Sequence, residues 1–447
     1  MKTIRIGSGA GYSDDRLEPA LEIMEKGNVD YIVFECLAER TIAIAQQRKM
    51  KNPDEGYDKL LAYRMERVLP LCSSKKVKVV TNMGAANPVA AAKLVKEMAE
   101  AQNMSGLKIA AVVGDDVFSE IDYYSDASLL ENGRKINEIR SSIVSANAYI
   151  GAAGIAEALD NGADIVITGR ASDPSLFLGP LIHEFGWSMD DANLMGIGTM
   201  AGHLMECGAQ VTGGYFADPG YKDVPELWNV GFPILEIDEE GELLISKLKT
   251  AGGMVSESTV KEQLLYEIHD PANYLTPDVI ADFSQAEVYQ VEKDVVKVSG
   301  GSGKAKSGYL KTSIGYKEGY LAEGEISYGG AGSIERAELA REIISKRLEL
   351  ANVQIDEIRY DFIGQNSLYK GALSDRSSAK EVRLRVAART VEPEDAKAVT
   401  REVEALYTNG PAGGGGIRTS IKDIVSIGSI LIPESQVSIK VFYSEVL

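Results

Sequence analysis

An imidazole, a carboxyl and a thiol fall on one helical face within residues 202–220, GHLMECGAQVTGGYFADPG. His203, Glu206 and Cys207 stand three and four residues apart, so a helix brings them together. Their neighbours Ile197, Met200, Ala201, Leu204 and Met205 are apolar, which predicts a largely buried helix. Buried polar groups must be paired or functional. Three readings are open. The trio could ligate a divalent metal, it could be an acid/base pair, or it could satisfy itself inside a packed core. A three-histidine metal site would need His183, His203 and His269, whose spacings are unrelated. In the loop that follows, Tyr215 joins Cys207 as a candidate substrate contact.

Further chemistry sits just after short β-branched runs. Glu35 and Cys36 follow YIVF, Asn82 follows KVVT, Asp115 and Asp116 follow KIAAVV, and Arg170 and Asp173 follow DIVIT. In open α/β sheets ligands bind outside the carboxyl ends of the strands. These residues therefore predict a cleft in which Glu35 and Asp115 are further acid/base groups. Asn82 would donate to a developing oxyanion, and Arg170 and Asp173 would contact substrate. The bland alternative is capping: Asn87–Pro88 and Asp173–Pro174 each read as an N-cap followed by proline at the first helical position. Late in the chain, NGPAGGGGIRT (409–419) offers Gly413, Gly414 and Gly415 as close-approach amides and Arg418 as a planar fork for an anion. A mobile loop or a subunit contact is the competing reading there.

The elements that must position these groups alternate. Predicted strands at 3–6, 31–34, 77–81, 108–113 and 164–168 are separated by helices at 18–26, 39–49, 89–102 and 151–161. That order makes residues 1–228 an α/β, Rossmann-like parallel-sheet domain. The first turn, GSGAG, departs from the dinucleotide fingerprint at Tyr12, and no P-loop motif occurs. From about residue 230 the texture changes to alternation and turns, so 229–330 reads as a β-rich or mixed domain. Residues 331–447 read as a ferredoxin-like α+β domain, with helices at 333–350 and 394–407.

With 447 residues, the chain is long enough for two or three domains. Its net charge of −19 argues against a nucleic-acid partner. No run approaches a membrane span and the first residues lack a secretory apolar core. Three scattered cysteines give no disulfide framework, so a cytoplasmic protein is expected, with an acidic surface suited to a homo-oligomer.

Several long segments together resemble the acyclic terpene utilisation protein AtuA family: GSGAGYSDDR, FECLAERT, NMGAANP, VVGDDV, ITGRASDPSLF, AGHLMECGAQVTGGYFADPG, QLLYEIHDPANYLTPDV and YTNGPAGGGGIR. The resemblance implies a place in breakdown of citronellol- and geraniol-type terpenes through CoA thioesters. It implies cleavage of a branched hydroxyacyl-CoA, or a related hydration, with CoA as part of the substrate. It carries over no assigned catalytic residues. Longer members have a further C-terminal domain, which a separate small subunit would replace here. The expectation is a lyase or hydratase acting on a carboxylate or acyl-CoA. A non-catalytic binding subunit or scaffold of an acyl-CoA-processing complex is the alternative.

Overall fold

The computed structural model describes residues 2–370 and 379–446. Its contacts divide the chain into two compact units, Met1–Gly315 with Ile427–Leu447, and Tyr316–Ser426.

The first unit is organised by a ten-stranded sheet. At its centre Thr3–Ala10, Tyr31–Phe34, Lys78–Thr81, Ile165–Thr168 and Lys108–Val113 lie side by side in that order, all parallel. Each strand feeds both faces of the sheet. Tyr31, Val33, Val80 and Val166 pack into one core with the Ala153–Asp160, Ser175–Phe185 and Ala192–Glu206 helices. Ile32, Phe34, Val79 and Ile165 pack into a second core with Glu18–Lys26, Leu61–Lys75 and Pro88–Ala101. Double coverage explains why these strands read as continuous apolar runs. Each fully buried Ile or Val contributes roughly 1.5–3 kcal/mol.

The change of texture near residue 230 has a different origin from the separate domain expected for 229–330. Pro233–Asp238 pairs antiparallel with Thr3–Ala10, and Leu243–Lys247, Val295–Ser299 and Glu287–Glu292 continue outward in the same sheet. At the opposite edge Lys440–Glu445 pairs antiparallel with Lys108–Val113. Outlying strands with one solvated face must alternate, as Val295–Ser299 does. Nor is 331–447 a unit by itself, since its last strand belongs to the first unit's sheet.

The second unit runs strand, helix Ser333–Leu350, strand Glu357–Ile363, strand Glu381–Thr390, helix Pro393–Asn409, strand. Its first and last strands along the chain are parts of Tyr309–Gly329 and Gly415–Pro433. The strand order is Glu357–Ile363, Glu381–Thr390, Tyr309–Gly329, Gly415–Pro433, with both helices packed on one core. Among the described residues no helix is long and apolar enough to cross a membrane.

Candidate functional site

Two close approaches assemble the site where the parallel strands end. A Cβ on Gly202, in the Ala192–Glu206 helix, would stand 2.6 Å from the Pro174 carbonyl oxygen. A Cβ on Gly11, in the turn after Thr3–Ala10, would stand 2.4 Å from the carbonyl carbon of Cys207. Glycine at both positions lets the buried helix seat its polar end against two different strand-end turns.

His203 and Glu206 face one another there, with Nδ1 and Oε1 2.9 Å apart. The imidazole is buried, flanked by the Tyr274 and Phe283 rings at centroid distances of 5.6 and 5.9 Å. Gln263 donates to the His203 carbonyl at 3.0 Å. His203 Nε2 and Glu206 Oε2 are buried without a hydrogen-bond partner among the described residues. Burial pushes the imidazole down to about 4, against the backbone of Gln263 and Leu264 and the Glu267 carboxylate, so it is neutral at pH 7. Burial, then the charges of Asp173 and Glu267, hold the Glu206 carboxyl well above the usual range. Cys207 caps the helix, its thiol pushed up by burial and by Glu206.

Glu35 lies behind its strand in a matching state. Its Oε1 accepts from Asn82 Nδ2 at 2.9 Å and from the Leu37 amide at 2.9 Å. Burial and the Asp173 charge raise it well above an ordinary carboxyl, against Arg170 and these donors. Asn82 is committed on both ends, because its Oδ1 accepts from the Cys36 amide at 2.7 Å. It positions Glu35. Asp115 accepts from Asn147 Nδ2 at 3.0 Å and from the Arg170 amide at 2.9 Å, and burial lifts it to about 6.

Arg170 is wholly buried and its guanidinium is engaged internally. It donates to the Ala171 and Leu37 carbonyls, pairs with Asp173 and stacks 4.4 Å from the Tyr149 ring centroid. Asp173, expected as an N-cap, gives its carboxylate to Arg170 instead; the helix starts at Ser175 with no side-chain cap. Burial raises Asp173 and Arg170 pulls it back, while about a third of the side chain (35%) faces solvent. Asn87 is the cap expected, accepting from the Ala90 amide at 3.4 Å.

Tyr215 is 88% exposed with a left-handed φ of 61°, beside a cavity of about 70 Å³ lined by Gln263 and Tyr266. Gly413, Gly414, Gly415 and Arg418 belong to the second unit. There Gly415 already begins a strand, Arg336 holds the Ala412 carbonyl at 2.9 Å, and Arg418 is exposed. His183 is bonded to Asp160 at 2.6 Å, and His269 is exposed.

Sequence reasoning missed three supports. Tyr149 donates to Glu39, which Lys311 also meets at 3.3 Å; burial opposes ionisation of Glu39, but Tyr149, Arg170 and Lys311 hold it down to about 2. Asn147 and Tyr149 end an unread strand, Ile143–Ala148, whose SIVSANAY alternation was the available signal. Arg64, fully buried, donates to the Ser13 and Asp15 carbonyls at 2.6 and 3.2 Å and lies 3.2 Å from Cys36 Sγ, fixing the first turn. No sequence signal marks it.

Among the described residues no three His, Cys, Asp or Glu side chains are grouped to hold a metal ion. The arrangement instead offers two buried carboxyls held well above the ordinary range and a neutral imidazole, beside the Arg170–Asp173 ion pair.

Against known proteins, residues 4–443 match the model of a family described as acyclic terpene utilisation family protein AtuA. No curated protein and no solved structure matches the chain.

Proposed function

The chain belongs to the acyclic terpene utilisation AtuA family, and on that premise we propose that it is a lyase or hydratase for a hydroxyacyl or carboxylic-acid substrate, CoA thioesters included, in acyclic terpene catabolism. The observation that carries the reading is the buried strand-end cluster, in which His203 Nδ1 lies 2.9 Å from Glu206 Oε1, His203 Nε2 has no partner among the described residues, and Asn82 orients Glu35. One guanidinium, Arg170, acts on Glu35, Asp173 and Glu206 together. Its charge is shared with Asp173 and Glu39, while burial holds Glu35 and Glu206 well above the ordinary carboxyl range beside an uncharged imidazole.

Elimination of water needs a base for a carbon-bound proton next to a carbonyl and an acid for the departing hydroxyl; retro-aldol cleavage takes the proton from the hydroxyl instead. His203 is the base in this reading, since its ring is neutral and Glu206 holds its orientation. Glu35 is the acid, kept protonated by burial and oriented by Asn82. The pairing of raised carboxyl and lowered imidazole is how acid and base roles are separated at one pH.

The test is incubation with a panel of hydroxyacyl-CoAs and free hydroxy acids, read by mass spectrometry. Turnover that His203→Gln and Glu35→Gln abolish supports the reading. No turnover, together with a tight stoichiometric partner in native mass spectrometry, replaces it with a binding subunit.

A further inference from the structure

A second feature lies on the other core of the same sheet. A cavity of about 260 Å³ opens beside the Glu18–Lys26 helix, floored by Ile23 and Phe232, which are 1% and 2% exposed. Trp228 stands at its rim, 75% exposed. An indole so exposed is unusual for a group of that apolar area, and here its backbone is firmly held. Asn229 N bonds to Glu226 O at 2.8 Å, Gly252 N to Asn229 O at 2.9 Å and Gly231 N to Gly252 O at 3.1 Å. Arg16 Nη1 donates to the Trp228 carbonyl at 2.9 Å. The Glu226 backbone is left-handed, and a Cβ on Gly252 would stand 2.2 Å from the Glu226 oxygen, so the turn is locked in place.

The lining sets the ligand's chemistry. Trp228 and the apolar floor suit a flat ring. Glu18 and Glu22, one turn apart on the same helix face, are acceptors only, so the ring must present N–H donors. Glu22 also meets Lys26 at 3.7 Å, whereas Glu18 has no ion-pair partner among the described residues. Arg16 keeps Nε and Nη2 without partners among the described residues, a fork for an anionic substituent. We propose that this cavity binds a planar, amine-bearing heteroaromatic ring carrying a phosphate, with the chemistry of an adenine nucleotide. The inference stands independently of the acid–base reading.

Adenosine, AMP and inosine are the probes, titrated into the full chain with excitation on the red edge of tryptophan absorption. The chain has two tryptophans, and Trp187 is 6% exposed, so Trp228 carries the response. Saturable quenching is expected, with AMP tighter than adenosine. Inosine, whose 6-carbonyl puts an acceptor in place of the donating amine against the carboxylates, should bind roughly tenfold more weakly, since a hydrogen bond to a charged group has that size. Arg16→Ala should remove the AMP-over-adenosine preference, and Glu18→Gln with Glu22→Gln the adenosine-over-inosine preference. Calorimetry gives a readout independent of the indole, and circular dichroism checks that each variant folds. Absence of saturable binding by calorimetry, equal affinity for adenosine and inosine, or unchanged affinity in Trp228→Ala overturns the proposal.

Discussion

Arg170 and Asp173, three residues apart on the turn after Ile165–Thr168, form an ion pair in which the cation is fully buried and the anion about a third exposed. That asymmetry organises the site. The guanidinium cannot reach solvent, so its charge is matched by protein carboxyls, with Asp173 in direct contact and Glu35 and Glu39 also acting on it.

Arg170→Met should therefore cost about 3 kcal/mol of stability, near the lower bound for breaking a buried pair because Asp173 can still hydrate. The loss should be larger at pH 8 than at pH 5, since without the cation each nearby carboxyl resists ionisation more strongly. Urea denaturation at the two pH values checks this. An equal loss at both would remove Arg170 from the electrostatics of the cluster.

Asp115 and His203 make opposed contributions to pH stability. Asp115 is raised from 3.8 to about 6, so the folded state binds more protons in that window and stability falls as pH rises through it. At about 1.4 kcal/mol per pH unit the full change is roughly 3 kcal/mol. His203 is lowered from 6.5 to about 4, so its contribution is lost as pH falls through that range. Asp115→Asn removes the first term, so its melting temperature relative to the parent should climb between pH 4 and 6. A constant difference across the range would contradict the assignment.

Gly11→Ala introduces a methyl 2.4 Å from the Cys207 carbonyl carbon and 2.6 Å from its oxygen, both backbone atoms that cannot rotate aside. The expected penalty is about 1–3 kcal/mol in the urea midpoint. Turnover, if the proposed chemistry holds, should fall as well, because the same contact seats the His203 helix.

Asp278 reaches the starts of two helices at once. Its Oδ1 accepts from the Ala152 amide at 2.9 Å, its Oδ2 accepts from the Ser175 hydroxyl at 2.5 Å, and a Cβ on Gly151 would stand 2.3 Å from Oδ1. Asp278→Ala should destabilise the fold by about 2–3 kcal/mol through lost capping and stranded donors. Asp278→Asn should recover part of that loss, and the comparison of the two in thermal melts separates hydrogen bonding from charge.

Glu206→Gln keeps the volume and one acceptor for His203 but removes the titrating proton. On any substrate that the chain turns over by proton transfer, kcat should drop by roughly 10²–10⁴ in His203→Gln, which removes the base, and by much less in Glu206→Gln, which keeps the imidazole oriented, with both folds retained by circular dichroism. An unchanged kcat in His203→Gln would place the chemistry outside the His203–Glu206 pair.

Local order alone settled much of this molecule. The five central strands and the Ser333–Leu350 helix fall where apolar runs and 3.6-residue periodicity place them, because burial on both sheet faces or on one helix stripe leaves a mark within a few residues. The Asn87 cap and the meeting of His203 with Glu206 are equally local, fixed by helix geometry over three residues. Only the tertiary structure decided which distant strands complete the sheet, since Pro233–Asp238 and Lys440–Glu445 carry edge patterns that fit any free strand. It also decided that Arg170 bonds to Leu37 and Asp173 rather than pointing outward, and that Asn82 holds Glu35. Hydrogen bonds between residues tens of positions apart depend on chain reversal and on the order in which strands pair, and neither is written in the run of residues beside them.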